Sequence, residues 1–182
     1  TFTGPDNEEN WSAQNTMIVS AVARGADAIV LSAIDYELTR DAVDAAAAAG
    51  VRIITIDSGV DSGNVSAFIG TDNTEAGRLA GKAALDLCGD TPAVLGLVNY
   101  SESTENVRER EEGLRAFAAE NGMTVAAVEM VESNTESAAA GAKKLLSEHP
   151  EVNVIVGFNE WMTLGVGYAV RDMGLSDKVA AV

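Results

Sequence analysis

The 182 residues carry a formal charge of −16, with 28 Asp and Glu against 12 Lys and Arg. That balance argues against nucleic acid as a partner, because phosphate binding needs clustered Lys and Arg, and against docking on anionic lipid. With 47 % apolar residues the chain can bury a core, and its length fits one ordinary domain or two small ones.

Short apolar runs alternate with longer helical patterns from end to end. Strands are predicted at residues 28–32, 52–56, 67–70, 93–98, 125–131, 152–157 and 178–182. Helices are predicted at 9–24, 37–49, 74–87, 104–121, 135–148 and 161–173. The strands are rich in Val and Ile and read as continuously apolar, the pattern of strands covered on both faces. This alternation predicts an α/β fold with parallel sheets and helices on both sides. Gly25, Gly50, Gly122 and Gly174 each follow a helical pattern and precede a strand, where helix-ending glycines belong. Thr1-Phe2-Thr3 reads as the tail of a strand, and 178–182 as a strand entering a core. The expectation is therefore a fragment, truncated at both ends.

Several chemistries lack their motifs. Cys88 is the single cysteine and sits in an apolar pattern, so it reads as a small core residue. His149 is the single histidine and precedes Pro150 at a helix end, which leaves no histidine for a zinc site or a Ser-His-Asp triad elsewhere. No phosphate-binding Gly-x-x-x-x-Gly-Lys-Ser/Thr occurs, and Gly165-Val166-Gly167 lies inside a helical pattern. No run approaches the length of a membrane span. No cofactor and no metal are expected.

Two segments carry positive information. In Ile53-Ile54-Thr55-Ile56-Asp57-Ser58-Gly59 a buried strand ends in a carboxylate and a hydroxyl. Ligands of open parallel sheets bind at the carboxyl ends of strands, so Asp57 and Ser58 stand where a ligand would. A carboxylate can accept from two neighbouring hydroxyls of a polyol; the alternative is an Asp in a strand-exit turn. In the second segment, Phe68-Ile69-Gly70 runs into Thr71-Asp72-Asn73-Thr74, polar residues that can cap a long helix. Gly77 and Gly81 lie four apart on that helix and would allow close packing.

These segments, with Gly25-Ala26-Asp27-Ala28-Ile29-Val30 upstream and Arg108-Glu109-Arg110-Glu111-Glu112-Gly113-Leu114 downstream, resemble the type I periplasmic binding proteins, in their ribose-binding-like sugar branch. The resemblance runs in order along essentially the whole chain. It implies two Rossmann-like lobes, with residues 1–70 in the first and 71–182 in the second, joined by hinge strands and closing on a ligand. The first strand and helix of the first lobe and the final segments of the second would be missing. It implies a solute-binding protein that captures a monosaccharide or similar polyhydroxylated ligand for an ABC permease, as a monomer outside the cytoplasm, with no chemistry of its own. Residue by residue, the resemblance gives Asp57 the role of the carboxylate on sugar hydroxyls. Arg110 becomes the arginine that reaches the ligand, and Asn159 the amide that both donates and accepts. Glu160 is a further candidate, and Trp161 can supply a ring. Ser58 stands where ribose binders often carry an arginine, and no aromatic flanks Ser133 and Asn134, so the ligand need not be ribose. Two other readings are the effector domain of a LacI-like regulator or sensor receptor, which shares the fold, and an enzyme using Asp57 or Glu160 as a base.

Overall fold

The computed structural model describes residues 1–7, 10–100 and 104–182. The chain divides into two compact units, Thr1–Thr71 with Glu102–Arg108, and Asp72–Ser101 with Glu109–Val182.

The first unit opens with α1 (Trp11–Ala23), whose Asn10 caps the first turn by accepting from the Ala13 N–H at 3.1 Å. Then follow β1 (Ala28–Leu31), α2 (Arg40–Ala48), β2 (Arg52–Ile56) and β3 (Val65–Ile69). The three strands are parallel, in the order β1-β2-β3. Ile29, Leu31 and Ile53 turn to one face and close a core with Ile18 and Val22 of α1 and Val43 and Ala46 of α2.

The second unit holds α3 (Asn73–Cys88), β4 (Val94–Asn99), α4 (Glu105–Glu120, whose first turn groups with the first unit), β5 (Thr124–Met130), α5 (Thr135–Glu148), β6 (Val154–Gly157), α6 (Glu160–Asp172) and β7 (Ala180–Ala181). Its parallel sheet has the order β5-β4-β6-β7. Side chains alternate along the inner strands. Leu95, Leu97, Val154 and Val156 face Ala84 of α3 with Leu114 and Ala118 of α4. Val98 and Ile155 face Ala138, Ala142 and Leu145 of α5 with Met162, Val166 and Ala169 of α6. This is a sheet with helices on both sides, and its inner strands are the continuously apolar ones that such burial requires.

On the face of the first sheet away from α1 and α2, Val30 and Ile69 are 60 % and 66 % exposed. Three expectations need correction. Among the described residues, Thr1-Phe2-Thr3 form no strand and are exposed. The strand predicted at 178–182 is only Ala180–Ala181, because Lys178 and Val179 both donate backwards to the Leu175 carbonyl in a turn. The helix predicted from residue 37 begins at Arg40, because the Asp35 carboxylate accepts the N–H groups of Glu37 and Leu38 and holds them in a turn. Residue 9, the predicted start of the first helix, lies outside the described residues. The remaining boundaries agree to within two residues.

Helices α3 and α4 cross at backbone contact. A methyl group on Gly77 would stand 2.0 Å from the Arg110 carbonyl oxygen, and one on Gly113 would stand 2.0 Å from the Thr74 carbonyl oxygen. Beyond the crossing, Arg78 grips Glu120 through two hydrogen bonds of 3.1 and 2.6 Å, which holds the Glu120 carboxyl below its ordinary pKa. Overpacking at either glycine forces the helices apart, so Gly77→Ala and Gly113→Ala should each cost about 1–3 kcal/mol in urea unfolding. Gly167 in α6 has open space at the same position. Gly167→Ala should therefore raise stability by about 0.5–1 kcal/mol, and a loss there would contradict this packing.

Candidate functional site

In the first unit the polar groups gather at the exits of β1 and β2. Asp57 follows β2 directly and, among the described residues, is the one non-glycine with a positive φ, 60°. The Ser58 N–H donates to the Ile56 carbonyl at 2.7 Å, closing a tight three-residue turn around Asp57. Such a turn is strained for a residue with a β-carbon. Its effect is to turn the carboxylate out of the strand, where the Ser32 and Ser58 hydroxyls each lie 3.4 Å from Oδ2. Asp57 is exposed, but Ser58 is only 4 % exposed, so its hydroxyl faces its neighbours rather than solvent. Beside this turn the Gly59 N–H donates to the Glu105 carboxylate at 2.9 Å, and Arg108 lies 4.7 Å above the Tyr36 ring.

In the second unit the chain runs from β4 through α4 to β5 on one flank of β4. It then passes through α5 to β6 on the other flank, and through α6 to β7 beyond. Helices α4 and α6 lie on opposite faces of the sheet. The connections leaving β4 and β6 therefore depart in opposite directions, which opens a crevice at their carboxyl ends. Such a switch point is where doubly wound sheets bind ligands. Arg110 of α4 spans this crevice. Its Nη1 donates to the carbonyl of Phe158, the residue after β6, at 2.8 Å, and its Nε donates to Asn73 Oδ1 at 2.8 Å. Among the described residues, two of the five guanidinium N–H groups are engaged, which leaves three that a guest can meet.

Asn159 caps α6: its Oδ1 accepts from the Met162 N–H at 2.8 Å, while Nδ2 reaches Ser133 Oγ at 3.3 Å. Half of its amide is therefore spent on the helix, and the donating half faces the exits of β5 and β6. Glu160 and Trp161 are exposed in the first turn of α6, with Trp161 at 49 %. Among the described residues no group of three or more His, Cys, Asp or Glu is placed to hold a metal.

The structure thus sets Asp57 beside Ser58 in the first unit, and Arg110 beside the Phe158–Asn159 exit in the second. Sequence reasoning missed Ser32, Ser133, the Phe158 carbonyl and Asn73. The sequence shows several adjacent polar residues where one cap is enough; in the structure Asp72 accepts from the Glu75 N–H at 2.9 Å and caps α3, which leaves the neighbouring Asn73 amide without a helical task. Because glycine relieves the backbone at a positive φ, Asp57→Gly should be more stable than Asp57→Ala by about 1 kcal/mol in urea unfolding. Equal midpoints would show that the turn is not strained.

A family profile described as a periplasmic binding protein domain matches residues 1–182. The D-ribose/D-allose-binding protein of Pseudomonas aeruginosa is 27 % identical over 187 residues, which cover 98 % of this chain and 58 % of that protein. The crystal structure of a sugar transporter from Clostridium phytofermentans matches with a TM-score of 0.89 at 32 % identity, over 98 % of this chain and 65 % of the other. An ABC transporter solute-binding protein from Agrobacterium vitis, crystallised with bound D-fucose, matches with a TM-score of 0.90 at 28 % identity, over 98 % of this chain and 63 % of that one. The chain therefore spans less than two thirds of the length of the relatives it matches.

Proposed function

Since this chain belongs to the periplasmic binding protein domain family, we propose that it is part of a solute-binding protein that captures a monosaccharide or similar polyol outside the cytoplasm and delivers it to an ABC permease. The observation that carries this reading is Arg110, a half-buried guanidinium fixed across the switch point of the second unit with donors to spare. A planar fork of donors suits adjacent hydroxyl groups, which accept in one plane at a similar spacing.

The other groups take complementary parts. Asp57 accepts hydroxyl hydrogens in the first unit, aimed by its strained turn. Asn159 donates through Nδ2. Trp161 offers an exposed ring face, on which the apolar C–H face of a sugar can lie. Glu160 is a secondary acceptor, and Ser58 acts by holding the Asp57 carboxylate rather than by meeting the ligand. The two units are proposed as the family's two lobes, with the change of lobe near Gly70–Thr71. The proposed protein is a monomer with no cofactor and no catalytic residue; proteins similar to it carry sugar-binding and transport descriptions.

Calorimetry of the full-length protein against D-ribose, D-allose, D-arabinose, D-fucose and myo-inositol tests this. At least one sugar should bind, and Arg110→Ala or Asp57→Ala should weaken it about 10-fold or more, the scale of a hydrogen bond to a charged group. Silence across the panel, or unchanged affinity in both variants, would overturn the reading.

A further inference from the structure

We propose that Asn73 is a positioning residue for Arg110, locking the guanidinium in its ligand-facing pose before any ligand arrives. The proposal deepens the reading of Arg110 as a ligand group and rests on it for affinity, but its structural half stands alone.

Asn73 lies in the first turn of α3, 37 residues from Arg110 in sequence, and is 3 % exposed. Its amide has no capping duty, since Asp72 caps the helix. An arginine has only donors, so the amide oxygen must face Arg110 Nε. The Phe158 carbonyl holds Nη1 from another strand exit. Two bonds in different directions on one rigid plane fix both its tilt and its rotation. Each partner is neutral, so neither cancels the positive charge. A carboxylate in place of Asn73 would hold Arg110 equally well but would compete with the guest for that charge.

The helix crossing makes the reach possible. Asparagine has a short side chain, and it meets Arg110 because Gly77 and Gly113 let the α3 and α4 backbones touch one turn away. The fixed pose matters for binding because an unrestrained arginine must give up rotamer freedom when it closes on a ligand, and one that is already held does not.

The experiment uses the full-length protein, ligand-free and then with the sugar that binds best. The Arg110 Nε–Hε resonance, assigned by its loss in Arg110→Lys, should exchange slowly with water in the natural protein. Asn73→Ala should expose it to fast exchange and weaken sugar binding about three- to tenfold. Asn73→Asp, which keeps an acceptor, should restore slow exchange and recover part of the affinity. Asn73→Ser, too short to reach, replaces Asn73→Ala if that variant does not fold. Equal protection of Nε–Hε in the natural protein and in Asn73→Ala overturns the proposal. So does unchanged affinity in Asn73→Ala. If no sugar binds the natural protein, the functional reading fails, while the exchange measurement still decides the role of Asn73.

Discussion

The backbone contact between α3 and α4 is the constraint on which the second unit depends. Gly77 sits against the Arg110 carbonyl and Gly113 against the Thr74 carbonyl, so no side chain separates the two helices at their crossing. Both helices then lie close enough to share one face of the sheet, with Leu114 and Ala118 on Leu95 and Leu97. The same closeness puts a buried amide under Arg110 and aims the guanidinium across the crevice between β4 and β6. Packing and recognition are therefore one arrangement. Interiors resist the movement that a methyl group would demand, so this close approach depends on glycine at both positions.

The two units solve the placement of a polar group in different ways. In the second, a cation is held by two neutral acceptors from separate elements, so its orientation comes from tertiary contacts. In the first, a carboxylate is turned outward by its own backbone, with Asp57 at φ 60° and hydroxyls from Ser32 and Ser58 beside it. The placement of the cation depends on the packing of two helices. That of the carboxylate depends on a local turn whose strain is offset by the pairing of β2 with its neighbours, including the Asp57 N–H to Ile69 carbonyl bond at 3.0 Å. In a chain of net charge −16, a guanidinium left unneutralised by its nearest partners is a rare resource, and its place at a switch point gives it a use.

Much of this was legible in the amino-acid sequence, because it follows from short-range rules. Every helix and most strands lie within a few residues of where periodicity and helix-ending glycines put them. The exceptions have local causes that side chains override: Asp35 delays α2, and the turn on Leu175 shortens β7. Asp57 and Arg110 were visible as candidates from strand-exit position and motif, and Gly77 from its spacing with Gly81.

What residues do locally was therefore determined by the sequence itself: the alternation of strand and helix, the parallel sheets it requires, the capped start of α3 and the polar residues at strand exits. Tertiary structure alone decided which of those residues meet. Arg110 and Asn73 are 37 positions apart, and Arg110 and the Phe158 carbonyl 48. No periodicity reaches across such distances. A hydrogen bond needs its partners near 3 Å, and only the packed crossing of two helices on one sheet can bring distant residues to that separation.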